Sequence, residues 1–79
     1  MDKNKSIRVV TMDREPVELY KILKFEALVS TGGEAKQAIA NQLVLVNGAV
    51  ETRKRKKIFA GDIITFDGEQ LKVEIQPTA

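Results

Sequence analysis

The sequence contains no cysteine and no histidine. The first absence excludes disulfides and thiolate metal sites. The second removes the usual general base and the commonest metal ligand. Tryptophan is also absent, and the four aromatic residues, Tyr20, Phe25, Phe59 and Phe66, are scattered. No strand carries paired aromatics on which bases could stack, and at least three of the four are expected in the core. No apolar run approaches the roughly 18 residues of a membrane span. The polar start, Met1-Asp2-Lys3-Asn4-Lys5, leads into no secretory segment. The acidic residues have neither the spacing of a calcium loop nor that of a catalytic carboxylate pair. A length of 79 residues allows one small domain, residues 1–79, with a modest core and little room for an enclosed cleft. These absences point to a non-catalytic cytoplasmic protein with no cofactor, no metal and no membrane partner.

Against this background stand five consecutive cations, Arg53-Lys54-Arg55-Lys56-Lys57. The chain has 13 basic and 11 acidic residues, a net charge of +2. Taking the five away leaves eight basic residues against the same eleven acidic ones, a net charge of −3. The basicity is therefore local, the footprint of a polyanion partner. A charged edge strand that resists aggregation would need only one or two lysines. Five adjacent cations repel one another, and neutralising phosphates would relieve that repulsion.

Local patterns predict the surrounding elements. Ile7-Arg8-Val9-Val10-Thr11-Met12, rich in β-branched residues, reads as a strand. Pro16 suits the first turn of a helix from Val17 to about Glu26, whose apolar residues Leu19, Ile22 and Leu23 recur at helical spacing. Thr31-Gly32-Gly33-Glu34 fits a capping box: the Thr31 hydroxyl accepts from the N3 amide and Glu34 reaches back to the N-cap amide. The helix that follows should run to about Asn41 with Ala35, Ala38 and Ile39 inward. Leu43-Val44-Leu45-Val46 then forms a strand, and Asn47-Gly48 is a type I′ hairpin signal. The return limb passes through Glu51-Thr52 into the basic run. If extended, that run directs Arg53, Arg55 and Lys57 to one face, and Lys54 and Lys56 to the other. Gly61-Asp62 marks a turn. Ile63-Ile64-Thr65-Phe66 and Leu71-Lys72-Val73-Glu74-Ile75 flank Asp67-Gly68-Glu69-Gln70 as a second hairpin, with Leu71, Val73 and Ile75 on one face of the last strand. The fold class is α+β, two packed helices on a small, mostly antiparallel sheet.

Beyond the basic run, Gly32 and Gly33 leave the amides of a helix N-terminus unshielded, and Lys36 lies in the next turn. Together they form a candidate phosphate site. The spacing is not that of a P-loop, and no Ser or Thr follows the lysine, so nucleotide hydrolysis is not supported. Lys21 and Lys24 on the first helix are possible additional contacts.

The run Thr31-Gly32-Gly33-Glu34-Ala35-Lys36, then Ile39, Val44-Leu45-Val46-Asn47-Gly48 and Gly61-Asp62, resembles the S-four RNA-binding domain, also called the alpha-L motif. The resemblance covers roughly 17–66. Gly48-Ala49-Val50-Glu51-Thr52-Arg53-Lys54-Arg55 is similar to the small stand-alone bacterial members of the YbcJ type. The resemblance implies a helix pair beside a small sheet that presents a basic surface to structured RNA. In that scheme Thr31 matches the capping residue, Lys36 a basic position on the second helix, and Leu19, Ile22 and Leu23 the inward face of the first. The chain departs from the pattern at Gly32, where the family often has Arg, and at Glu18-Leu19-Tyr20, where many members have Arg-Leu-Asp.

The expectation is thus an RNA-binding protein that takes structured ribosomal or transfer RNA, with ribosome or ribonucleoprotein association possible. Its contacts would be Arg53, Lys54, Arg55, Lys56 and Lys57, with a second phosphate at Gly32, Gly33 and Lys36. Neutralising about five phosphates would give log K against log[salt] a slope of roughly −3.5 to −4.5. The rival expectation is an adaptor that docks its basic edge on an acidic protein, by strand addition for example.

Overall fold

A computed structural model describes residues 7–76. The chain runs β1 (Ile7–Met12), β2 (Val17–Glu18), α1 (Leu19–Phe25), α2 (Gly32–Ala40), β3 (Val44–Val46), β4 (Ala49–Val50), β5 (Lys57–Ile58), β6 (Ile63–Phe66) and β7 (Glu69–Ile75). The main sheet has the order β1-β7-β6-β3-β4, and β2 and β5 form a separate antiparallel pair. Among the described residues only β1 with β7 is parallel, in the register Val10 to Val73. The sheet is therefore mixed but mostly antiparallel, as the α+β reading anticipates.

One apolar cluster joins helices and sheet. Leu19, Ile22 and Leu23 of α1 and Ala35, Ala38 and Ile39 of α2 are buried against Val10, Met12, Val44, Val46, Ile58, Ile64, Leu71 and Val73. The small residues of α2 let the two helices pack closely. Along β7, Leu71 and Val73 point inward, while Ile75 at the strand end passes the edge of the core and is exposed.

The turns follow local chemistry. Asn47 and Gly48 have φ of 53° and 85°, and Asp67 and Gly68 have 53° and 79°, the left-handed pairs that a type I′ turn requires. The second loop is only Asp67-Gly68, because Glu69 and Gln70 already belong to β7, with Glu69 paired to Phe66. Both helices end in Schellman turns built on Ala27 (φ 61°) and Gln42 (φ 64°) in place of glycine. Leu28 donates to the Leu23 carbonyl and Leu43 to that of Ala38.

Three expectations change. First, Val17 and Glu18 are strand, paired with Ile58 and Lys57, and Pro16 precedes that strand instead of opening a helix. Second, the basic run is not an extended limb: Lys56 N–H closes a turn on the Arg53 carbonyl, and strand geometry resumes only at Lys57. One cause explains both. The Leu19 and Tyr20 amides, which start α1, donate to the carbonyls of Lys56 (2.9 Å) and Lys54 (3.2 Å), so the basic loop folds over the helix start and caps it. Ile58, fully buried, pins the far end of that loop to the core. Third, none of the aromatics is fully buried: Phe25 and Phe59 are exposed, and Tyr20 and Phe66 lie half-buried at the core margin.

Candidate nucleic-acid interface

Because the basic loop caps α1, its side chains lie beside both helices. Tyr20 stands at the meeting point. Lys36 Nζ of α2 is 4.7 Å from the centre of its ring, Arg55 Cζ of the loop 5.9 Å, and Lys21 Nζ of α1 6.0 Å. Three like charges from three segments thus lie around one aromatic ring, whose quadrupole attracts cations. The other neighbour of the ring is Gly32, where a Cβ would sit 3.7 Å from Tyr20 Cδ2 and Cε2. Next to this cluster, Gly33, Lys36 and Gln37 of α2 and Thr52, Arg53, Lys54 and Arg55 of the loop line a shallow open depression.

Carboxylates reduce the charge of this face. Glu51 accepts from Arg53 Nε at 2.9 Å, from Nη2 at 3.2 Å and from the Arg53 backbone N–H at 3.0 Å. The hydrogen bond from the Arg53 side chain holds the Glu51 carboxyl below the ordinary carboxylate value, with partial burial opposing it, and Glu51 in turn raises the Arg53 pKa. Glu18 lies 3.9 Å from both Arg55 and Lys21, too far for strong pairing.

The sequence-predicted residues therefore separate into groups. Lys36 and Arg55 come together with Lys21 around Tyr20, and Lys54 lines the adjoining depression with Lys36 and Arg55. Arg53 is at the same rim but tied to Glu51. Lys56 is half-buried, its carbonyl used as a cap. Lys57 lies on β5 opposite Glu18 and faces a neighbouring groove. Lys24 is exposed in the last turn of α1 and is not among the cations around Tyr20.

At the start of α2, the Thr31 hydroxyl accepts from Glu34 N–H at 3.0 Å. The Glu34 carboxylate reaches one residue beyond the expected amide, to Ser30 N–H at 2.7 Å. Gly33 stays exposed beside Lys36, but a negative side chain already stands at this helix end.

Sequence reasoning missed Tyr20, Glu51 and Glu18. An aromatic followed directly by Lys21, at the margin of the Leu19/Ile22/Leu23 stripe, was the available signal for the first. Asn47 and Asp62 prove to be structural: Asn47 Nδ2 donates to Asp62 Oδ1 (3.1 Å), and Asn47 Oδ1 accepts from Ile63 N–H (2.9 Å). The Asn-Gly and Gly-Asp turns are thereby bolted to each other.

Two helices on one side of a mixed sheet, with a cation-rich loop folded over the start of the first helix, define a small α+β domain of the alfaL type. The solution structure of YbcJ from Escherichia coli, described as revealing an alfaL motif involved in RNA-binding, superposes with a TM-score of 0.68 at 40% identity, covering 94% of this chain and 95% of that one. YbcJ of E. coli strain K12 is 51% identical over 57 residues, 72% of this chain and 81% of that protein. The probable ribosome maturation protein RlbA of Bacillus subtilis strain 168 is 30% identical over 59 residues, 75% of this chain and 83% of that protein. The S4 domain model matches residues 10–74. The chain belongs to the S4 domain family.

Proposed function

We propose that this chain is a non-catalytic, cytoplasmic RNA-binding protein, a single domain over 1–79, which holds structured RNA linked to translation, ribosomal or transfer RNA. The observation that carries this reading is the gathering of Lys21, Lys36 and Arg55 around Tyr20, with Lys54 beside them. Folding here brings like charges from separate segments together, and a polyanion that neutralises them relieves the repulsion. Supporting it are YbcJ, whose motif is described as involved in RNA-binding, and the ribosome maturation named for RlbA.

In this arrangement Lys36, Lys54 and Arg55 take backbone phosphates, with Lys21 at one end. Arg53 contributes direction more than charge, because Glu51 offsets it. Lys56 and Lys57 extend the surface around the loop. Gly32 and Gly33 bring the α2 backbone close to the same phosphates. Such contacts give affinity and orientation more than sequence choice.

The adaptor reading by strand addition is less supported, since the run turns at Lys54-Arg55 and only Lys57–Ile58 is strand. A triple variant, Lys36→Ala, Lys54→Ala and Arg55→Ala, should bind a labelled ribosomal or transfer RNA fragment at least about tenfold more weakly at physiological salt, measured by fluorescence anisotropy. Unchanged affinity in a folded triple variant would sink the assignment. Partners that survive RNase in a pulldown would favour the adaptor.

A further inference from the structure

Phe25 is not part of the buried core cluster. It closes α1 as a residue 69% exposed, more than Leu43 (55%), Val9 (54%), Val50 (52%) or Phe59 (47%), whereas Leu19, Ile22 and Leu23 already fill the buried face of the same helix. A groove runs beside the ring. Pro16 and Val17 supply apolar lining, and Arg14, Lys21 and Lys57 bring cations from three different segments. Two carboxylates also line it: Asp13 is 3.9 Å from Arg14, and Glu18 is 3.9 Å from Lys21 and opposite Lys57 in the β2-β5 register. Three cations against two carboxylates leave the groove net positive, and the carboxylates can accept from base N–H groups. Lys21 belongs to this groove and to the Tyr20 cluster alike, so the two surfaces are continuous.

We infer that Phe25 is a stacking platform for one unpaired RNA base, whose flanking phosphates are met by Lys21 and Lys57. An exposed aromatic ring, apolar lining and a cationic rim match the two chemistries of a single-stranded nucleotide, a π-face and an anionic backbone. A fully paired duplex keeps its bases stacked and offers the groove only phosphate. The inference rests on the proposed RNA binding and deepens it: the ligand is a folded RNA with an unpaired nucleotide next to its helix, in a bulge, a loop or an end.

The test uses the same two-strand RNA duplex, with no loop, once with blunt ends and once with a short single-stranded tail. Phe25→Ala and Phe25→Leu should each weaken binding of the tailed duplex by about 5- to 140-fold, while the blunt duplex binds as before. Leucine keeps apolar bulk without a π-face, so loss in both variants identifies stacking. Because the chain has no tryptophan, Phe25→Trp places a unique reporter in the groove, and its emission should be quenched by the tailed duplex and not by inorganic polyphosphate. Phe25 is exposed, so the melting temperature should hold. If the alanine variant binds both duplexes like the parent, the platform is refuted while RNA binding by the Tyr20 face stands. If neither duplex binds the parent, the RNA reading itself fails. A parent dimer that Phe25→Ala converts to monomer would assign the ring to a protein contact and overturn the inference.

Discussion

Glu51 is the residue whose removal should strengthen binding. Its carboxylate takes two of the Arg53 guanidinium N–H groups and the Arg53 backbone N–H, so the nearest cation of the basic loop is neutralised before any ligand arrives. Glu51→Gln keeps an amide oxygen to accept from the backbone and removes the charge. One further phosphate then becomes available to Arg53, which makes the slope of log K against log[salt] steeper by about 0.7 to 0.9. Relative to 1 M salt, that exponent corresponds to binding tighter by up to about four- to fivefold at 0.15 M. The pH dependence has a fixed sign. The Glu51 pKa is lowered in the folded protein, chiefly by the Arg53 hydrogen bond, so its stabilisation is complete above the unfolded value and is lost as pH falls through the folded one. Between pH 6 and 8 parent and variant should therefore differ by a constant factor, and they should converge only in acid below the ordinary carboxylate range. Anisotropy titrations of labelled RNA from 50 to 300 mM salt measure both quantities. Weaker binding by Glu51→Gln with an unchanged slope would refute the reasoning, because it would mean that the ion pair presents Arg53 to the RNA instead of withholding it.

The remaining predictions concern what holds the face in place. Ile58 is fully buried at the end of the basic loop, and Ile58→Ala should cost about 2–5 kcal/mol, a large share of the stability of so small a domain. The urea midpoint should fall by about 1 M or more with little change in m, and an unchanged midpoint would contradict the anchoring role of β5. Asn47→Ala should cost about 1–3 kcal/mol, because it removes the links to Asp62 and Ile63 and places alanine at φ 53°. Asn47→Gly, which accepts that φ, should lose less. Thermal melts resolve the difference at about 4–8 °C per kcal/mol.

Elements with local chemistry were legible from sequence. The Thr31 cap, the inward Ala35/Ala38/Ile39 stripe, the Asn47-Gly48 I′ turn and the alternation of Leu71 and Val73 depend on neighbours within a few residues. What could not be read depends on distant partners. The start of α1 is set by the carbonyls of Lys54 and Lys56, more than thirty positions away, so Val17 and Glu18 looked helical and the basic run looked extended. The parallel pairing of β1 with β7 joins opposite ends of the chain. Helix ends at Ala27 and Gln42 carried no glycine to announce them. For the candidate site, sequence supplied the cations but not their grouping. Tyr20 and Phe25 share α1, yet one is ringed by cations and the other projects from its end, a distinction made only by the loop folding over the helix.

The central claim is that Lys21, Lys36, Lys54 and Arg55 form one phosphate-binding face. Four neutralised phosphates predict a slope of log K against log[salt] of roughly −2.8 to −3.6, shallower than five adjacent cations alone would suggest. Salt titration of the parent beside the Lys36→Ala, Lys54→Ala, Arg55→Ala variant tests it most directly. With one of the four cations left, the variant's slope should fall to roughly −0.7 to −0.9, a loss of about one phosphate for each cation removed. Equal slopes for two folded proteins would contradict it.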